Sequence, residues 1–176
     1  MIGIDKYKMG EARTCNPDTI VKAILSGKAP IQVWLSVGGQ QIVHMANTKE
    51  VVKAIEKVEF MVHCDQFMGP MAQAADIVLP SAHWLEMDDV YDMHPRFMIE
   101  AHNKVVEPPG EAKSNIWIFN EIGKRVVPEH WFEDVEECLD YQVKKGHGMT
   151  WKKFSEQLVS GCWGKDQVYY KYKTDY

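Results

Sequence analysis

The sequence predicts an α/β fold: a mostly parallel sheet with helical crossovers, followed by C-terminal helices. Three observations carry this. Short apolar runs at Ile31–Val37, Phe60–Val62 and Ile77–Leu79 each end in polar or turn-forming residues, and none is long enough for a helix. Amphipathic, helix-forming stretches separate them. Strand, helix, strand is the repeating unit of a parallel sheet, because the crossover returns the chain to its starting edge.

Asn16-Pro17-Asp18 is a capping sequence with Pro in the first turn, and it predicts a helix over Asp18–Ser26. Ile20, Val21, Ile24 and Leu25 form its apolar stripe, and Gly27 ends it. After the strand Ile31–Val37 comes Gly38-Gly39, where a backbone turns tightly or approaches something closely. Asn47-Thr48 caps a helix over Lys49–Lys57 with Val51, Val52 and Ile55 facing inward. The strand Phe60–Val62 stops at His63-Cys64-Asp65. Gly69-Pro70 leads into a short Ala-rich helix, Met71–Ala75, and Ile77–Leu79 ends at Pro80-Ser81. Right-handed crossovers predict a doubly wound sheet. Parallel strands then bring Gly38-Gly39-Gln40, Cys64-Asp65-Gln66 and Pro80-Ser81-Ala82-His83 to one edge, where open α/β sheets bind ligands.

Beyond Ser81 the periodicity weakens. His83–Glu100 reads as an extended loop with a fourth strand over Phe97–Ala101, and Pro108-Pro109-Gly110-Glu111 reads as a turn. A helix over Ser114–Val127 presents Ile116, Ile118, Phe119 and Ile122 to the sheet, and Gly123 marks close packing. Val135–Lys144 and Thr150–Val159 read as further amphipathic helices, the second capped by Thr150. The expected organisation is an α/β domain over 1–130 and a helical extension over 131–176, whose polar, aromatic ending VYYKYKTDY looks cut. There is no internal repeat.

Composition narrows the function classes. The 176 residues are 45% hydrophobic and 26% charged, as expected of a globular domain. A net charge of -5 disfavours a nucleic-acid surface. No apolar run approaches the roughly 18 residues of a membrane span. The N-terminus has no signal-like apolar core, though a longer precursor could carry one upstream. Ten Met and six Trp suit a large core or an interface. Cys15, Cys64, Cys138 and Cys162 have no C-x-x-C spacing, which leaves no zinc ribbon or iron–sulfur loop; buried thiols are the default, and Cys64 alone lies beside the proposed edge.

Gly38-Gly39 after a strand suits bare amides approaching anionic oxygens, although the pattern is not G-x-G-x-x-G and a Gly pair also serves as a plain turn. Asp65 at a strand end is able to accept two N–H groups from a guanine edge or hydroxyls from a ribose; capping the following loop is its equal alternative. His63 and His83 fall near the edge without the spacing of a helical metal site. Glu86, Asp88, Asp89 and Asp92 form an acidic loop without an EF-hand pattern, read as solvated. No nucleophile elbow, Walker loop or Ser/His/Asp order is present. The residues alone therefore describe a nucleotide-binding-like α/β domain with its ligand at the strand ends and no catalytic machinery of its own.

Three pieces then carry a resemblance. They are VWLSVGGQQ through NTKEVVKAIEKVEFMVHCDQFM, then AQAADIVLPSAHWLE, then KVVEPPGEAKSNIWIFNEIGKRV. In order and spacing they are similar to the third domain of molybdopterin oxidoreductases of the DMSO reductase family, over roughly Asp18 to Val127. Ala75–Pro80 (ADIVLP) and Val106–Lys113 (VEPPGEAK) are the specific segments. The resemblance implies a three-layer, Rossmann-like domain in an enzyme that holds molybdenum or tungsten through two molybdopterin guanine dinucleotides. It implies that Gly38, Gly39 and Gln40 lie along the pyrophosphate and ribose. Asp65 would hold the guanosine end with Gln66 and Met68 beside it, and Pro80, Ser81 and Ala82 would approach the dinucleotide. Gln40-Gln41 replaces the family's Asn-Pro, Gly69-Pro70-Met71 replaces a Thr-rich turn, and Asp89 and Met93 replace a Gly and an Asn. These departures resemble the divergent branch that includes acetylene hydratase, pyrogallol transhydroxylase and catechol dehydroxylases.

The family's iron–sulfur Cys motif, metal-ligand segment and C-terminal domain have no counterpart in this sequence. The expectation is an excised or truncated domain, inactive alone, from a cytoplasmic or periplasmic enzyme whose iron–sulfur cluster lies outside this chain. Its partners would be the remaining domains, with room for an electron-transfer subunit; exposed Trp- and Met-rich faces would make it self-associate. The alternative is a stand-alone nucleotide-binding or interaction module. A nicotinamide dehydrogenase is disfavoured by the missing glycine fingerprint and acidic partner. Substrate, metal and compartment are not encoded here.

Overall fold

The computed structural model describes residues 17–93, 98–156 and 161–162. The chain divides into two compact units between Ser81 and Ala82.

The N-terminal unit runs α1 (Pro17–Leu25), β1 (Val33–Val37), a single turn α2 (Gln41–His44), α3 (Thr48–Ile55), β2 (Phe60–Asp65), a single turn α4 (Pro70–Gln73) and β3 (Ile77–Pro80). The strands pair in the order β1-β2-β3, all parallel, so the α/β class with a parallel sheet holds. The winding differs from expectation. Without a reversal of strand order both crossovers step the same way, and right-handed crossovers then fall on one face. Val21 and Ile24 of α1, Val51, Ala54 and Ile55 of α3, and Met71 of α4 form one core with Met61, and Trp34 packs against it. Alternation along the strands sends Val33, Leu35, Phe60 and Ile77 to the opposite face, where all four are exposed.

Local chemistry explains the element ends. Gly27 closes α1 at φ +70, as expected; Asn16 of the predicted cap lies outside the described residues. Asn47 precedes α3 without a side-chain cap bond; it contributes by adopting φ +58, which Asn tolerates better than most residues. β2 continues through His63-Cys64-Asp65, past the predicted stop, because both neighbours pair with it there. The Asp of ADIVLP latches the sheet: Asp76 N–H donates to Met61 C=O at 2.9 Å, and Met61 N–H donates to Asp76 Oδ2 at 2.7 Å.

The C-terminal unit holds a 3₁₀ turn (Trp84–Glu86), β4 (Asp89–Met93), β5 (Met98–His102), α5 (Asn115–Val126), a 3₁₀ turn (Pro128–His130), α6 (Val135–His147), α7 (Trp151–Ser155) and the two-residue β6 (Gly161–Cys162). Its sheet is antiparallel in the order β4-β5-β6. The predicted fourth strand thus belongs to a second sheet, and part of the predicted loop is β4. Leu139, Val143, Trp151 and Phe154 form this unit's core, with Val90, Ile99, Ala101 and Ile116 against it. Ile118 is buried while Ile122 is exposed, so α5 presents Ile116 to a core shared with the antiparallel strands. Gly123 does mark close packing: a Cβ there would collide with the Trp131 ring. The acids expected to be solvated are largely occupied. Glu86 accepts from His83 N–H, Asp88 from Lys104 N–H and Asp89 from Val90 N–H. No described helix is long and apolar enough to cross a membrane.

Candidate functional site

The parallel register sets Val37 beside Cys64 and Asp65 beside Pro80, so the predicted edge exists and Asp65 is its centre. Its side chain is 14% exposed. Oδ1 accepts from Gln66 N–H at 2.6 Å and Phe67 N–H at 3.1 Å. Oδ2 lies 2.8 Å from Gln40 Nε2, which donates to it, and 3.1 Å from His63 Nε2. A carboxylate offers about four acceptor positions, and all four are taken. Burial alone would push the Asp65 carboxyl up; the Phe67 and Gln66 amides, His63 and Gln40 outweigh it and hold it below its ordinary value.

His63 is fully buried, and its Nδ1 has no hydrogen-bond partner. With Nε2 directed at a carboxylate, Nε2 carries the proton in the neutral ring and Nδ1 is left an unmatched acceptor. The sequence marked His63 only as near the edge; its role is to hold Asp65 from beneath.

The glycine pair is partly committed. Gly38 and Gly39 have φ +54 and +66, which favours glycine at both. Gly38 N–H donates to Cys64 C=O at 2.8 Å, extending the ladder, and Gln40 N–H donates to His44 Nε2 at 3.0 Å. Gly39 is exposed, and a Cβ there would lie 3.1 Å from Gln41 Nε2. Gln66 is exposed, and Met68 is 63% exposed with its carbonyl accepting from Gln73 Nε2 at 3.1 Å. Ser81 N–H donates to Asp65 C=O at 3.1 Å and Ser81 is buried, while Pro80 is exposed. Ala82 and His83 fall in the C-terminal unit.

Two features of this edge were not read from the sequence. Phe67 is 75% exposed, so Phe67 and Met68 form an apolar tip directly after the carboxylate. Gly69, read as a turn, has an ordinary φ of -72, yet a Cβ there would sit 2.7 Å from both Gln40 Nε2 and Oε1. Cys64 is fully buried, and burial pushes its thiol up, so it is packing rather than chemistry. Among the described residues no group of three or more His, Cys, Asp or Glu is placed to hold a metal ion.

The pattern of the molybdopterin oxidoreductase family matches residues 9–125. The chain belongs to the molybdopterin oxidoreductase family. The resemblance carried by ADIVLP and VEPPGEAK is thereby borne out. Acetylene hydratase of Syntrophotalea acetylenica is 31% identical over 157 residues, 87% of this chain and 21% of that protein. A probable oxidoreductase of Bacillus subtilis, YyaE, is 34% identical over 118 residues, 65% of this chain and 18% of its own length. The solved structure of acetylene hydratase from Pelobacter acetylenicus superposes with a TM-score of 0.74 at 31% identity, covering 82% of this chain and 20% of that one. The chain spans about a fifth of the length of the curated relatives it matches. Membership of this family implies a molybdopterin cofactor.

Proposed function

We propose that this chain contributes, within a larger molybdopterin enzyme, the edge that binds the guanine dinucleotide portion of the cofactor. The observation that carries the proposal is the Asp65 carboxylate, kept ionised at a parallel strand end and flanked by the positive-φ pair Gly38-Gly39. An ionised carboxylate recognises the N–H groups of guanine, and the exposed Gly39 backbone is open to close approach by a pyrophosphate. Phe67 and Met68 offer an apolar surface for a base. Gly69 keeps a Cβ away from the flat Gln40 amide that bonds Asp65. These residues fit the nucleotide end of such a cofactor.

When bound, the molybdenum or tungsten of the cofactor supplies the redox or hydroxyl-transfer chemistry. The residues here bind and orient: Asp65 fixes the base, His63 and the Gln66 and Phe67 amides hold Asp65 ionised, and Pro80 and Ser81 line the neighbouring strand end. The rest of the enzyme is the partner in this reading. The exposed apolar face of Val33, Leu35, Phe60 and Ile77 supports it over a stand-alone module, which would carry a polar face there.

Calorimetric titration of the 176-residue chain with GMP and GDP tests this. Saturable binding that Asp65→Ala abolishes is expected. Absence of binding by a folded sample, or binding indifferent to Asp65→Ala, would sink the proposal.

A further inference from the structure

We infer that Gln40 occupies the nucleobase position as an internal stand-in for a guanine edge, and leaves it when guanine binds. This rests on the reading of Asp65 as the guanine-binding carboxylate, and it resolves a conflict in that reading: Asp65 has no acceptor position left for a ligand.

Of the four groups on Asp65, three are built in. Gln66 and Phe67 donate from the backbone immediately following, and His63 is a fully buried ring on the same strand. Gln40 alone reaches Asp65 by a long side chain from another element, across 25 residues. Its backbone stays anchored at α2, where its carbonyl accepts from Val43 and His44 N–H groups. The side chain is therefore free to swing without moving the loop.

The same amide makes a second contact. Met71 N–H donates to Gln40 Oε1 at 3.1 Å while Nε2 donates to Asp65 Oδ2. Only one orientation of the amide satisfies both, since reversal would set oxygen against carboxylate and NH₂ against an N–H donor. A donor facing a carboxylate beside an acceptor facing a backbone N–H is also what the N1–H and C6=O of guanine present. Guanine adds an N2 amino group on the carboxylate side, which neither glutamine nor adenine has at that place.

Gly69 is the independent observation. Its φ of -72 is open to any residue, so the backbone does not call for glycine. The space does: any Cβ would press on both amide atoms of Gln40. Glycine at position 69 is what lets the Gln40 amide lie between Asp65 Oδ2 and Met71 N–H without meeting a Cβ.

An internal competitor lowers apparent affinity by the fraction of time it vacates the site. Removing it is therefore expected to tighten GMP binding about tenfold. The experiment is GMP and AMP titration of the wild-type chain, Gln40→Ala and Gln40→Asn, followed by calorimetry and by NMR of the side-chain amides. Gln40→Asn keeps a polar amide too short to bridge Asp65 and Met71, and it serves if the alanine variant does not fold. Support consists of tighter GMP binding by either variant, a smaller change with AMP, and Gln40 NH₂ resonances of the wild type moving to solvent-exposed values as GMP is added. If the wild type binds GMP while folded variants bind it equally or more weakly, or if the Gln40 resonances stay in place, the exchange is overturned and the guanine site stands. If no form binds GMP, both fall together.

Discussion

Asp65 in the N-terminal unit and Asn120 in the C-terminal unit are both polar hubs, and they differ in what they are bonded to. Asn120 is 3% exposed; its Nδ2 donates to Phe132 C=O at 2.7 Å and its Oδ1 accepts from Phe132 N–H at 3.0 Å. Both partners are backbone, fixed by the fold. Asp65 is partly exposed and takes one of its four bonds from a movable side chain. A polar group tied wholly to backbone builds structure. One tied through an exchangeable side chain retains the capacity to bind something else.

The largest expected effect falls on the structural hub. Asn120→Ala removes two hydrogen bonds and leaves the Phe132 N–H and C=O without partners in a part-buried setting. The expected loss is about 2–4 kcal/mol, since unmet buried polar groups cost about 1–3 kcal/mol each. Urea unfolding would measure it, and a loss under about 0.5 kcal/mol, the range of a neutral surface change, would remove Asn120 from the comparison.

Next is Gly69→Ala, which separates binding from stability at the other hub. The ordinary φ predicts a stability change within about 1 kcal/mol, while the added Cβ closes the gap beside Gln40. The Cβ meets only the far end of the flexible Gln40 side chain, so it is expected to push that amide off Asp65 and to tighten GMP binding in the same direction as Gln40→Ala, by up to about tenfold. GMP affinity unchanged in a folded Gly69→Ala would mean that the space at Gly69 has no part in the exchange.

How much of this contrast was legible in the sequence depends on the range of the interactions. Apolar periodicity is local, so α1, α3 and the three parallel strands fell close to their predicted places, and Asp65 came to the edge with them. β4 was missed because Asp89 and Asp92 interrupt its alternation; its pairing partner Met98–His102 supplies what its own composition does not. The winding was misjudged because crossover handedness does not determine strand order. The cluster on Asp65 was not visible at all. Nothing in the spacing says that Gln40 reaches 31 residues to Met71, or that Gly69 is a glycine for space rather than for conformation. Its signals in the sequence are two departures from the family pattern, Gln40-Gln41 in place of Asn-Pro and Gly69-Pro70-Met71 in place of a Thr-rich turn, and neither says that the two segments meet at Asp65.

The pH dependence of stability sharpens the Asp65 side. Its folded carboxyl lies below the ordinary value, so the unfolded chain binds the proton first and stability rises with pH through the acid range. The contribution is fully present above about pH 3.9, the unfolded value, and disappears as pH falls through the folded value. Asp65→Asn should flatten this acid limb in denaturant melts taken from pH 5 downward, while Gln40→Ala, which removes one lowering donor of four, should flatten it in part. An acid limb unchanged in Asp65→Asn would show that the four donors do not stabilise the ionised form.

The smallest effect compares two thiols, one from each unit. Cys64 is fully buried beneath the edge and Cys138 on α6 is partly exposed; burial raises both thiols, and in Cys138 the Gln142 side chain opposes it. Thiolate is the reactive form, so both should be slow, and Cys64 the slower because a reagent must wait for the sheet to open. Timed alkylation read by mass spectrometry should label Cys138 before Cys64, with Cys64 catching up only in urea. Adding GMP should slow Cys64 further if the base closes over Asp65, because a ligand that binds only the folded edge lowers the population of its opened form. Cys138 sits in the other unit and serves as the internal control: equal protection of both would report global stabilisation, whereas protection of Cys64 alone would locate the ligand at the parallel edge.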